Sequence, residues 1–396
     1  MRILLAHNFY NSATPSGENQ VLEAERRLLA KNGDDVQLFS KYSDSIAKKG
    51  KLGVLSAALG TPWRMDIKHE LRSVLDGFQP DIVHVHNTFP LISPAIFPAL
   101  AGRAARVLTL HNYRLFCPAA IPMREGKVCI ECMQAKSSLP SLIHGCYRES
   151  RLATLPMALN VELHRYLGTW RKHVDAFIAL SEFQRSLMID AGLPAEKVFV
   201  KPNFYPGSPV VQPWLNREPY VVFVGRLTAE KGVISLLRAW QAWGAAAPEL
   251  RIVGDGALRD QLESMGAGLP VRFLGQVDAK EAERQIANAR LQILPSEWFE
   301  GFPMVIREAF AFGTPAAVSD IGPLPSIVQN GTSGIVFKPA APDSILACVR
   351  DAWHTPGLLE RLGQGARLAF EENYTEGANY AILRSIYEQA MKVSSQ

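Results

Sequence analysis

With 396 residues, 47% of them hydrophobic and 20% charged, the chain can fill two cores of ordinary domain size. Its net charge of +4 falls short of the basic bias of a nucleic-acid binder but suits an anionic ligand, and no run of roughly eighteen apolar residues marks a spanning helix. The opening "MRILLAHNFYNS" turns polar too soon for a signal peptide, so the expected location is cytoplasmic, with reduced thiols.

In chain order, "ILLA", "VQLF", "IVHVH", "RVLTL", "AFIAL" and "VFV" have the short apolar runs of buried parallel strands. Helical patterns lie between them, among them 18–32, 66–77 and 182–191. Five prolines in 201–219 disfavour a regular element there, and the stretch reads as a linker. The alternation restarts with "YVVFVG", "LRIVG", "VRFLG", "LQILP", "PAAVS" and "GIVF", and 375–393 forms a last amphipathic helix. The predicted fold is α/β: two Rossmann-like, doubly wound parallel-sheet domains facing a cleft, at 1–203 and 204–374, with 375–396 crossing back to the first.

Ligands of such sheets sit beyond the carboxyl ends of the strands. After "YVVFV" come Gly225, Arg226 and Lys231, two cations placed to neutralise a diphosphate. Gly254 and Gly256 flank Asp255 at the next strand exit, and "FLGQV" closes another turn. After "LQIL", "PSEWFEGFPMVIREAFAFGTP" carries Glu300 and Glu308 eight residues apart in an apolar setting. A buried carboxylate is costly unless paired. Gly301 and Pro303 mark a helix start, whose free N–H groups form an anion seat, and Gly301 and Phe302 are candidate donor-binding residues. Glu308 is expected about two turns into that helix. Carboxylates on either side of the seat accept hydrogen bonds from vicinal diols, which describes a nucleotide sugar; an ion pair with Arg307 is the structural alternative. Gly322 in a later exit loop allows close backbone approach.

In the first half, His84 and His86 alternate on one strand and so face the same side, His86 nearer its end, and His111 follows another strand. Cys117, Cys129, Cys132 and Cys146 are spaced C-x11-C-x2-C-x13-C in an insert at about 117–146. The set reads either as a structural tetrahedral zinc site, with His144 as a substitute ligand, or as reduced thiols in a loop. Cys348 reads as core. Segment 46–65 mixes Lys48, Lys49 and Lys51 with Leu52, Val54, Leu55, Leu59 and Trp63, fitting either an anionic bilayer surface or a half-buried helix.

At these residues the chain resembles the retaining glycosyltransferases of family GT4, which have the GT-B fold. The resemblance is strongest from "VFVGRLTAEKG" to "NGTSGIVF" and includes the two-glutamate spacing Glu300–Glu308. It also includes "SEFQR", "KPN" before the linker, and an N-terminal glycine loop, "TPSGENQV", containing Gly17. The loop holds Ser16-Gly17 where relatives often pair glycines, and Ser326 follows Pro325 where relatives often have glutamate.

The resemblance implies that 1–203 binds the acceptor and 204–374 the nucleotide sugar. Glu300 would contact the donor sugar, Glu308 the ribose, Arg226 and Lys231 the diphosphate, and His111 the acceptor or the donor phosphate. No Asp-x-Asp motif for a catalytic metal occurs. The expected reaction is therefore metal-independent hexosyl transfer to a glycan or lipid-linked glycan, in bacterial surface-polysaccharide synthesis. A nucleotide-sugar epimerase of the same fold is the second enzymatic reading. A zinc-dependent nucleic-acid module in the cysteine segment is the non-enzymatic one, and the segment's few lysines and arginines speak against it.

Overall fold

The computed structural model describes residues 1–10, 17–48 and 50–395; Ser16 of the glycine loop and Lys49 of the basic segment lie outside them. The six apolar runs of the first half form one parallel sheet. They are β1 (Arg2–Phe9), β2 (Asp35–Tyr42), β3 (Ile82–Asn87), β4 (Ala105–Thr109), β5 (Ala176–Ala179) and β6 (Val198–Val200), in the order β2-β1-β3-β4-β5-β6. Helices on both faces bury the central strands, which is why β3 is buried along its whole length and reads as an apolar run interrupted by His84 and His86 and closed by Asn87. Turn chemistry stops and starts these helices. Ser181 caps Glu182–Asp190 by accepting from the Gln184 N–H (3.1 Å), and the Gln184 amide spans back to the Leu180 N–H (2.8 Å) and the Leu110 carbonyl (2.9 Å).

The second sheet holds β7 (Glu218–Val224), β8 (Glu249–Val253), β9 (Val271–Gly275), β10 (Ala289–Leu294), β11 (Ala316–Ser319) and β12 (Gly334–Phe337), all parallel, in the order β9-β8-β7-β10-β11-β12. Its core gathers Val221, Phe223, Leu236, Trp240, Ile252, Ile293, Ile345 and Leu362. Both sheets reverse their strand order once, between β1 and β3 in the first and between β7 and β10 in the second. Those reversals leave a crevice at the strands' carboxyl ends. Two doubly wound parallel sheets are what the GT-B resemblance implies.

Two compact units result: Met1–Pro122 with Cys129–Pro202 and Asn379–Gln396, and Met123–Val128 with Asn203–Ala378. Composition alone drew the linker too wide. Lys201 is buried in the first unit, and Glu218 and Pro219 already open β7, where proline is tolerated at a strand start. The helix Glu376–Ser394 contributes Leu383, Ile386, Tyr387 and Ala390 to a core shared with Ile3, Leu5, Leu22, Ile82, Val107 and Ile178. Among the described residues, no helix is long and apolar enough to cross a membrane.

Candidate active site

The exits of β7, β8 and β10 are pressed backbone to backbone. Gly225 N–H donates to the Val253 carbonyl, Leu227 N–H to Asp255, and Glu297 N–H to Glu230, each at 2.9 Å. Two glycines make this contact possible. Gly254 has φ +133°, and a Cβ there would lie 1.9 Å from the Gly225 oxygen; Gly232 has φ +68°, and a Cβ there would lie 1.9 Å from the Pro295 oxygen.

Lys231 and Glu300 therefore meet at the reversal of the second sheet. Lys231 Nζ donates to Glu300 Oε1 at 2.7 Å, and Ser296 Oγ donates to the same oxygen at 2.6 Å. The Lys231 ammonium also lies 5.6 Å from the centre of the Trp298 ring. Both members of the pair are largely buried, and their pairing is internal to the protein as it stands. Arg226 is the exposed cation of the cluster: its side chain is 64% exposed and lies 3.3 Å from Glu230. Thr228 Oγ1 steadies that glutamate at 2.7 Å.

Pro303 stands at the N-cap, and the helix runs from Met304 to Ala311. Glu308 thus lies about one turn inside it, not two, because Gly301 and Phe302 belong to the approach loop. The Phe302 ring packs 5.6 Å from the Tyr374 ring, so its side chain serves the core. No hydrogen bond to the Glu308 carboxylate occurs among the described residues; its one ionic neighbour is Arg307, 3.9 Å away. Burial raises its pKa, Arg307 opposes the shift, and Glu283 adds to it. Arg307 is buried itself, is lowered in pKa by that burial, and leaves its Nε without a partner. At 3.9 Å, the expected alternative of a structural ion pair is a long contact that leaves both groups short of hydrogen bonds. Gly322, with φ +56°, lies under the Phe299 ring, where a Cβ would stand 3.1 Å from Cδ1.

The first unit carries a buried polar chain where its own sheet reverses. His84 and His86 project from β3 to the same side, ring centres 4.3 Å apart. Glu25, on the helix Gly17–Lys31 that Gly17 opens, holds both: Oε1 lies 3.0 Å from His84 Nδ1 and 3.1 Å from His86 Nε2. Its other oxygen accepts from Lys201 Nζ at 2.9 Å. Burial pushes the Glu25 carboxyl up, but Lys201, His84 and His86 outweigh it and hold the group well below the ordinary range. His84 also reaches Tyr387 Oη (2.8 Å) and Thr109 Oγ1 (2.7 Å). Glu25, His84 and His86 are close enough to hold an ion, yet Lys201 already neutralises the carboxylate, so a dication there would face a buried ammonium. His86 Nδ1 lies 3.0 Å from His111 Nε2, which brings the expected His111 to the end of the chain. Burial and the neighbouring imidazoles lower His86 to about 4 and His111 well below its ordinary value.

The four clustered cysteines gather without meeting. Cys117 Sγ turns to the Ile121 carbonyl at 3.8 Å, and its thiol is pushed up to about 12, mainly by burial with Cys132 adding to it. All four are free thiols, and no three of Cys117, Cys129, Cys132 and Cys146 bring their sulfurs within 4.8 Å of one another. The zinc site expected from their spacing is therefore without support in the structure. Sequence reasoning missed Ser296, Trp298 and Glu25. Ser296 and Trp298 stand in the quoted Glu300 motif and were visible there; nothing local to Glu25 betrays partners as distant as Lys201.

The family profile described as "Glycosyltransferase Family 4" matches 15–206, and "Glycosyl transferases group 1" matches 209–369. Among curated relatives, Arabidopsis thaliana sulfoquinovosyl transferase is 24% identical over 83% of this chain, which spans 61% of that longer protein. Bacillus subtilis spore coat protein SA is 25% identical over 93% of both chains. Among solved structures, Thermosynechococcus elongatus sucrose-phosphate synthase superposes with a TM-score of 0.71 at 18% identity, covering 99% of each chain. Anabaena HepE in complex with UDP-glucose superposes at 0.66 and 18%, covering 98% of this chain and 100% of that one. Two profiles that together span nearly the whole chain, on two sheets of the matching fold, make it a member of the GT4-type glycosyltransferases.

Proposed function

We propose that the chain is a retaining, metal-independent hexosyltransferase that moves a hexosyl group from a nucleotide-diphosphate sugar to a glycan or lipid-linked glycan in bacterial surface-polysaccharide synthesis. The observation that carries the donor reading is the second-unit cluster: a Lys231–Glu300 pair beside a helix tip, with Glu308 nearly buried and, among the described residues, without a hydrogen bond. A ribose diol supplies the two donors that Glu308 lacks. Arg226 and Lys231 neutralise the diphosphate, aided by the helix N-terminus. Glu300, released by Lys231 when phosphate arrives, orients the donor sugar. The bond between the anomeric carbon and the phosphate oxygen breaks, the acceptor oxygen bonds on the same face, and the departing phosphate takes the acceptor's proton. His111 of the first unit contacts the acceptor. The polysaccharide setting draws on relatives named as a Streptomyces coelicolor exopolysaccharide phosphotransferase and a protein of a Klebsiella pneumoniae cps region. The donor class draws on HepE, solved with UDP and with UDP-glucose.

The screen that tests the donor reading compares UDP-, GDP- and dTDP-sugars for thermal stabilisation of the wild type and of Glu308→Ala. One donor class should raise Tm in the wild type and lose most of that effect in the variant. If none of them shifts the wild type, the proposal fails. Anomeric configuration of the product, with and without chelator, tests retention and metal independence.

A bilayer-surface contact belongs to the same reading. The helix Gly50–Gly60 exposes Leu52 (79%), Leu55 and Leu59 on one face, beside Lys48 and Lys51. The helix Arg151–Leu167 exposes Leu152 (84%), Leu155, Leu159 and Tyr166 at helical spacing. Apolar stripes flanked by basic residues, Lys48 and Lys51 on the first helix and Arg151 and Arg165 on the second, suit the headgroup region of an anionic membrane.

A further inference from the structure

The chain Glu25–His86–His111 fixes which nitrogen of His111 carries a proton. Glu25 is ionised and can only accept, so the 3.1 Å contact requires a proton on His86 Nε2. His86 is neutral near pH 7, which leaves its Nδ1 a bare lone pair. That lone pair can only accept, so the 3.0 Å contact to His111 requires a proton on His111 Nε2. His111 is neutral as well, and its Nδ1 is then the unprotonated nitrogen; no described residue contacts it.

We propose that Glu25 and His86 are positioning residues that hold His111 in the Nε2–H tautomer, presenting a bare Nδ1 as an acceptor for a ligand hydroxyl. The ligand part of this inference rests on the reading that His111 faces the acceptor; the tautomer does not. Two further contacts keep the relay in place. Lys201 Nζ holds the far oxygen of Glu25 at 2.9 Å and is itself 3.2 Å from Asn379 Oδ1. His84, sharing Oε1, is anchored by Thr109 and Tyr387, so Glu25 cannot rotate away from His86 without breaking several bonds. Sequence separation hides the arrangement: Glu25 is 61 residues from His86, and His86 is 25 from His111.

The test is a long-range proton–nitrogen NMR spectrum of histidine-labelled full-length protein near pH 7, with His111 assigned by its loss in His111→Phe. The wild type should show His111 bare at Nδ1 and protonated at Nε2, and His86 with the same pattern. A His111 protonated at Nδ1, or cationic, overturns the proposal whatever any variant does. His86→Phe removes the acceptor, and Glu25 keeps its contacts to Lys201 and His84. It should bring His111 from about a tenfold tautomer preference to a mixture of the two forms. A single unchanged tautomer in His86→Phe would show that the relay does not set it. A failed donor screen leaves this result intact, so the two proposals fall separately.

Discussion

Lys231 and Glu300 are 69 residues apart in sequence and 2.7 Å apart in space. The pair is what the crossing from β7 to β10 brings together, and it links the stability of the site to its proposed chemistry. Lys231→Ala leaves a nearly buried carboxylate without its cation, although Ser296 still donates to it. Breaking a buried pair costs about 3–5 kcal/mol, and losing a charge that stabilises the leaving group costs about 100-fold or more in kcat/KM. Calorimetry and initial rates should show both losses. Wild-type rates in a destabilised Lys231→Ala would remove Lys231 from the mechanism.

Glu308 should couple donor binding to pH. Its carboxyl is raised in the free protein, chiefly by burial, and hydrogen bonds from a diol favour the charged form and lower it. Binding then releases protons, so donor affinity rises with pH through the range just above ordinary carboxylate values. Glu308→Gln should bind more weakly by about 1–3 kcal/mol and show no such slope. Titration calorimetry across that range reads both.

Acid should loosen the first unit before its carboxylates titrate. His7, His86 and His164 are each lowered to about 4, burial being the largest cause for all three. The unfolded chain binds these protons from about pH 6.5 downward while the folded chain does not, so stability falls as pH drops from about 6.5 to about 4. Each group contributes up to about 3 kcal/mol of that loss. Denaturant titrations of His164→Gln should show a slope smaller by about one proton. An unchanged slope would mean His164 titrates alike in both states.

Gly254→Ala and Gly232→Ala drive a methyl into a carbonyl 1.9 Å away, so the exit loops must part. Each should cost more than about 2 kcal/mol and abolish the thermal shift given by donor. Gly77→Ala, on the helix Asp66–Phe78 with open space around it, should be neutral or stabilising by about 1 kcal/mol. Melting curves of the three variants make the comparison.

The leucine stripes should carry membrane attachment. Leu52→Gln with Leu55→Gln and Leu59→Gln should abolish co-flotation with vesicles of mixed phosphatidylglycerol and phosphatidylcholine. Tm should stay within about 2 °C, because exposed positions contribute little to folding. Equal flotation of wild type and variant would dismiss this helix as the anchor.

The twelve strands of the two parallel sheets were legible because buried parallel strands need near-continuous apolar runs such as "IVHVH" and "YVVFV". The partners across the sheet were not. Lys231 and Glu300 could each be picked out as site residues, but their pairing depends on which strands are neighbours, and that follows from sheet order. Glu25 shows the same limit more sharply, since it lies mid-helix among ordinary charged residues. The helix start after Pro303 was misjudged by one turn because glycine and proline mark a boundary only to within a few residues. The cysteines differ: their spacing left zinc and free thiols both open, and the structure adds no support for zinc.

The helix Glu376–Ser394 supplies Tyr387 to His84 and Asn379 to Lys201 inside the first unit. The order in which this protein is made and the order in which it can fold therefore differ. A nascent chain halted at Pro202 would expose the apolar floor that Leu383 and Ile386 cover, and would hold a Lys201 ammonium without its amide. The amino-terminal half must wait, unfinished, until everything between has emerged, which makes that interval its window for chaperone engagement and for aggregation.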